Sequence, residues 1–149
     1  MSATPKVIQV EIVDIHRCLF SGACLSLVAP SVGGEVCILP RHAPLLVKLV
    51  PGEIRIKSVQ EELFSFYVSG GFLETIDSNV AVLADHMLRS DEIDHEAALQ
   101  SKLDAEMMLK DRRLNREHKD QAQLLLLKAV AQLKVLEHVN SNRLGNPNL

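Results

Sequence analysis

The sequence predicts an α+β fold: a mainly β N-terminal part, residues 1–88, followed by an antiparallel two-helix hairpin over 89–149. Two compositional boundaries and one change of period predict it. Five of the six prolines lie between Pro5 and Pro51, and six of the seven glycines between Gly22 and Gly71. All four Phe and the single Tyr fall at or before Phe72, and Leu73 to Leu144 contains no Gly, Pro, Phe, Tyr or Trp. Turn residues and β-favouring rings therefore belong to the first part and helix-permissive sequence to the second. Hydrophobic periodicity changes from two to about 3.6 after Asp85.

Within the first part, Ile8–Ile12 and Glu53–Lys57 alternate apolar with polar residues and Phe64–Val68 nearly does, the pattern of a strand with one face on a core. Apolar stretches at Leu25–Ala29, Val36–Leu39, Leu45–Val50, Phe72–Ile76 and Val80–Ala84 add further strands. Gly22, Gly33-Gly34, Pro51-Gly52, Gly70-Gly71 and Asp77-Ser78-Asn79 separate them. Strands spaced this way without intervening helices predict an antiparallel sandwich or barrel.

In the second part, Asp91, Glu92, Asp94 and Glu96 put negative charge where a helix begins, with Asp94 as N-cap. Leu99, Leu103 and Met107 recur at helical spacing. Lys110 to Glu117 is a polar connection, and a second helix runs from about Lys119 to Val139 with Leu126, Val130, Leu133 and Leu136 on one stripe. Leu124 to Leu127 wrap most of a turn, so this helix carries more apolar surface than one partner helix covers. Either it packs on the β part, or it also serves a second partner.

The chemistry of the chain points away from catalysis. Net charge is -3, so no strong field calls for nucleic acid. The N-terminus lacks a charged segment followed by an apolar one, and no apolar run approaches the ~20 residues of a membrane span. Cys18, Cys24 and Cys37 show no C-x-x-C spacing and read as small buried hydrophobes in a reducing compartment. The six histidines form no H-x-H or H-E-x-x-H pair, so no metal ligand set is predicted. No phosphate loop, dinucleotide fingerprint or nucleophile elbow occurs, and no catalytic residue is predicted.

One segment stands out, Gly33 to Pro44. Its glycines permit a tight or bulged turn, and Pro40 and Pro44 stiffen the chain on either side of His42. Such a loop suits docking, because little entropy is lost on binding; it equally suits a structural turn with a capping histidine.

Taken in order, the motifs resemble the epsilon subunit of bacterial F-type ATP synthases, the counterpart of the mitochondrial delta subunit. Phe20-Ser21-Gly22 resembles that family's early F-S-G, and Gly34-Glu35 through Pro40-x-His42-Ala43-Pro44 its G-E-x-x-x-x-P-x-H-A-P signature. Pro51-Gly52-x-Ile54-Arg55-Ile56, Val68-Ser69-Gly70-Gly71-x-Leu73-Glu74 and Val80-x-Val82-Leu83-Ala84-Asp85 follow. Lys128-Ala129-x-Ala131-Gln132-Leu133-x-Val135 is similar to its K-A-x-A-Q-L-R-V.

The resemblance implies a ten-stranded β-sandwich and a C-terminal hairpin, in a non-catalytic rotor subunit. It would couple the gamma subunit to the c ring during proton-driven ATP synthesis, peripheral on the cytoplasmic side of the bacterial cytoplasmic membrane. It implies docking through Glu35, Pro40, His42 and Pro44. It also implies a brake: the hairpin, extended, reaches the alpha and beta subunits and suppresses ATP hydrolysis. Lys128 and Lys134 match basic positions of that contact, and Arg112, Arg113, Arg116 and Lys119 cluster at the connection, as a latch or as a solvated tip. The family's nucleotide-sensing motif, [I/L]-D-x-x-R-A, is degenerate here. Its counterpart begins Ile93-Asp94 and ends Ala97-Ala98, and Ala97 replaces the arginine that would pair with phosphate. No cofactor is expected, and nucleotide binding is expected to be weak or absent. The alternative is a helical-hairpin adaptor with a β-sandwich docking domain, unrelated to ATP synthase.

Overall fold

A computed structural model describes residues 6–145. Its strands are β1 (Ile8–Val13), β2 (Cys18–Ser31), β3 (Gly34–Ile38), β4 (Leu45–Leu49), β5 (Gly52–Ser58), β6 (Leu63–Val68), β7 (Gly71–Ile76), β8 (Asn79–Ala84) and β9 (Met87–Arg89). A 3-10 turn at Ser90–Glu92 leads to helices α1 (His95–Lys110) and α2 (Arg116–Gly145). The described residues thus form nine strands where ten were expected. The count falls because β2 is continuous over 14 residues: its first half pairs with β1 and its second half with β3 and β5.

The sheet runs β1-β8-β7-β4-β2-β5-β6-β9, and the β1–β2 pairing closes it on itself. All pairings are antiparallel except β1 with β8, which the sequence reading did not foresee. Alternation along the strands fills the interior. Ile8, Val10 and Ile12 of β1, Ile54 and Ile56 of β5, Leu73 of β7 and Val80 and Val82 of β8 meet in one apolar core. Among the described residues, that core contains none from either helix. Strand β9 is another difference: three residues are too few to display a period, and the sheet continues through Arg89.

Asp94 caps α1 as expected, its side chain accepting from the Ala97 amide. The second helix starts earlier and ends later than expected. Asn115 accepts from the His118 amide at 2.9 Å and so starts the helix next to it, which places Arg116 inside α2 rather than in the connection. No Gly or Pro interrupts the chain before Gly145, so α2 reaches 30 residues. The helices meet through alanines, not leucines. Ala98 and Ala105 of α1 and Ala122 and Ala129 of α2 are buried at seven-residue spacing, whereas Leu99, Leu103 and Met107 are exposed. Small residues let two helix backbones approach closely, which displaces the larger side chains to the flanks. Cys24 is buried as expected, but Cys18 and Cys37 are exposed on outward-facing strand positions.

Candidate functional site

The sandwich has two outer faces, and the sequence treats them differently. On the first, α2 covers the β5–β6 ladder. Glu53 and Tyr67 are cross-strand partners whose side chains point out of the core, yet both are buried because the helix lies over them. Tyr67, Ile93, Ala131 and Val135 form a small second apolar cluster there, edged by Leu88 and Leu136. Burial pushes the Tyr67 phenol above its ordinary range, opposed by a hydrogen bond with Gln132.

Polar contacts surround that cluster. The Ser65 hydroxyl donates to Glu53 at 2.8 Å, and His138 Nδ1 of α2 lies 2.6 Å from the other Glu53 oxygen. Arg55 reaches Glu53 at 3.4 Å and grips Glu35 in a fork at 3.1 and 3.2 Å. The guanidinium holds the Glu35 carboxyl below its usual range, helped by Lys134 and His138 of α2.

The second face, built from β1, β8, β7 and β4, is bare. Lys48, Phe72, Leu83 and Val13 follow one another across its strands, and Leu46, Glu74, Ala81 and Glu11 form the next row. Leu46, Phe72 and Leu83 are 67%, 50% and 60% exposed, and Ile76 extends the patch toward the β7–β8 turn. Large apolar side chains gathered on one face mark a contact surface. Sequence reasoning missed them, although a signal was present. Leu45-Leu46-Val47, Phe72-Leu73 and Val82-Leu83 are apolar at both parities, and a strand with one solvated face should not be.

The segment from Gly33 to Pro44 does not act as one unit. Glu35 sits at the start of β3, beside Arg55 and the helix, while Pro40, His42 and Pro44 follow its far end. Five residues at about 3.3 Å each separate the two ends. Arg41, with φ of 66°, turns the chain and donates its amide to Ser78 Oγ. His42 Nδ1 lies 2.7 Å from the carbonyl of Ala43, so the ring serves its own loop. That loop borders the bare face next to Ile76.

In the hairpin, Arg112, Arg113 and Arg116 are exposed at the tip, and Lys119 is half-buried on the first turns of α2. Lys128 is half-buried and Lys134 is exposed near Glu35. The four motif residues have structural duties. Ile93 belongs to the apolar cluster under α2, Asp94 caps α1, Ala97 supplies the capped amide, and Ala98 packs between the helices. Among the described residues, no group of three His, Cys, Asp or Glu could hold a metal ion. Nor is any described helix long and apolar enough to cross a membrane.

Comparison with known proteins places this geometry. Residues 7–90 match the ATP synthase delta/epsilon chain β-sandwich domain family. The ATP synthase epsilon chain 1 of Methylococcus capsulatus is 44% identical over 135 residues, covering 91% of this chain and 96% of that one. The ATP synthase epsilon chain of Halorhodospira halophila is 44% identical over 138 residues, covering 89% and 94%. Among solved structures, a chain of the Euglena gracilis mitochondrial ATP synthase superposes with a TM-score of 0.79 over 91% of this chain and 84% of that one. At 18% identity it attests to the fold.

Proposed function

Because the chain belongs to the ATP synthase delta/epsilon chain family, we propose that it is a non-catalytic rotor subunit whose bare sandwich face docks on the central stalk. The partners are the gamma subunit and the c ring, and the complex works at a membrane to which this chain is peripheral. By analogy with its bacterial relatives, that is the cytoplasmic side of a bacterial cytoplasmic membrane. The observation that carries the reading is the exposed patch of Leu46, Phe72 and Leu83, from two neighbouring rows, on a sandwich whose other face is already occupied by α2. Burying such side chains stabilises a complex by about 1.5–3 kcal/mol each, which makes this face the main source of affinity. Pro40, His42 and Pro44 stiffen the loop at its border and set the orientation of docking. Glu35, by contrast, belongs to the junction with the hairpin.

Torque transmission needs only a rigid body with complementary surfaces, and a closed sandwich supplies one. The hairpin supplies regulation. Docked on β5–β6 it lies clear of the bare face; released, it exposes the Ala131 and Val135 face of α2 and carries the basic tip toward the alpha and beta subunits. Ala97 leaves the motif without a phosphate-pairing cation, so nucleotide does not set the release.

Binding of purified gamma subunit tests the docking face. Phe72→Glu and Leu83→Glu each place an outward charge on it and should weaken the complex at least about tenfold while the chain stays folded. Unchanged affinity in both variants would locate the contact elsewhere.

A further inference from the structure

We propose that Glu53 and His138 form the latch that holds the hairpin on the sandwich, and that Arg55 makes this latch reversible. The apolar contact beneath α2 is small: Tyr67, Ile93, Ala131 and Val135, with Leu88 and Leu136 at its edge. An alanine contributes little buried area, so polar contacts weigh heavily in the balance between docked and released states.

Glu53 is the unusual group here. Its side chain is only 3% exposed, and an ionised carboxylate at such a site requires partners. Three are present: the Ser65 hydroxyl, the Arg55 guanidinium and His138 Nδ1, the last at 2.6 Å. Only His138 comes from the hairpin. The facing charges are Glu35 on β3, Glu53 and Arg55 on β5, and Lys134 with His138 on α2. The sandwich therefore presents two carboxylates and one guanidinium to a helix that presents basic groups. Electrostatic complementarity of this kind favours docking and selects its register.

When α2 lifts away, Ser65 and Arg55 remain with Glu53, and water takes the place of His138. Glu53 keeps two protein partners, so release avoids the penalty of leaving a buried polar group without hydrogen bonds. Arg55 keeps its grip on Glu35 as well. The contact thus gives specificity to the docked state without making it permanent. Its use as the release point of a brake rests on the functional reading above; the contact itself does not.

Thiol labelling of the isolated full chain tests the latch. In a chain whose exposed thiols are removed by Cys18→Ser and Cys37→Ser, Ala131→Cys places a reporter thiol under α2, where a maleimide reaches it only when the helix lifts. Cys24, fully buried in the sandwich core, reports opening of the whole fold in the same sample. Adding His138→Ala or Glu53→Gln should accelerate labelling of the introduced thiol about five-fold and leave Cys24 unchanged. The double variant should label no faster than the quicker single one, because both changes remove the same contact. The proposal is overturned by unaltered labelling of the reporter, by multiplied effects in the double variant, or by Cys24 accelerating in step. Since no gamma subunit is present, a negative result bears on the latch alone, whereas gamma binding judges the docking face.

Discussion

At the scale of single residues, the two glycine pairs divide into different physical cases. Gly71 opens β7 with φ of +127°, and a Cβ there would stand 2.1 Å from the Leu83 carbonyl oxygen. Both the dihedral and the space therefore demand glycine. Gly34 has φ of +114° but faces open space, so a side chain there meets only backbone strain. Gly71→Ala is expected to cost about 3 kcal/mol or more, and Gly34→Ala about 1 kcal/mol. Urea unfolding followed by far-UV circular dichroism would separate them; equal losses would mean that the β7–β8 ladder shifts to make room.

At the scale of elements, the connection between sandwich and hairpin is clipped from outside. Arg17, in the β1–β2 loop, forks onto Glu92 of the 3-10 turn, and the Arg89 amide donates to the same carboxylate at 2.8 Å. Arg17, with the Arg89 amide, holds the Glu92 pKa down to about 2 from an ordinary 4.5. A carboxyl with a depressed folded pKa contributes stability above its unfolded value and loses it as pH falls through the folded one. The contribution should be intact above about pH 4.5 and fade toward pH 2, with solvent screening of the exposed partners keeping it small. Arg17→Gln should therefore flatten this part of the acid-stability curve, measured by thermal melts between pH 5 and 2; an unaltered slope would show that the fork is idle. The elements themselves were largely legible in the sequence. Alternation located β1, β5 and β6, and the loss of Gly, Pro and aromatic residues located the hairpin. What stayed hidden was tertiary: β9 exists because β6 offers it an edge, and the helix interface uses alanines whose seven-residue spacing is masked by the larger leucines around them. Of the candidate surfaces, the Pro40–Pro44 loop was readable from its prolines. The bare face was not recognised, because alternation shows that a strand has two faces but not which one another element will cover.

At the scale of the whole molecule, the separateness of the two apolar clusters decides what the hairpin can do. Among the described residues the sandwich core draws on none from the helices, so the hairpin can leave without unfolding it. The cluster that α2 does cover includes Tyr67, the single tyrosine of a chain that has no tryptophan. Burial raises its phenol, so its titration follows the covering of the ring by α2. Removing residues from Asp94 onward should preserve gamma binding, because Leu46, Phe72 and Leu83 remain. The same truncation should bring the tyrosine titration, followed by ultraviolet absorbance, down toward about 10 as the ring gains water. In the reconstituted complex it should raise the ATPase rate, since no extended hairpin can then reach the alpha and beta subunits. An unchanged rate alongside a lowered tyrosine titration would separate the two roles: the helix would cover the sandwich, yet it would not brake the motor. Lost gamma binding would instead move the docking surface from the bare face to the hairpin.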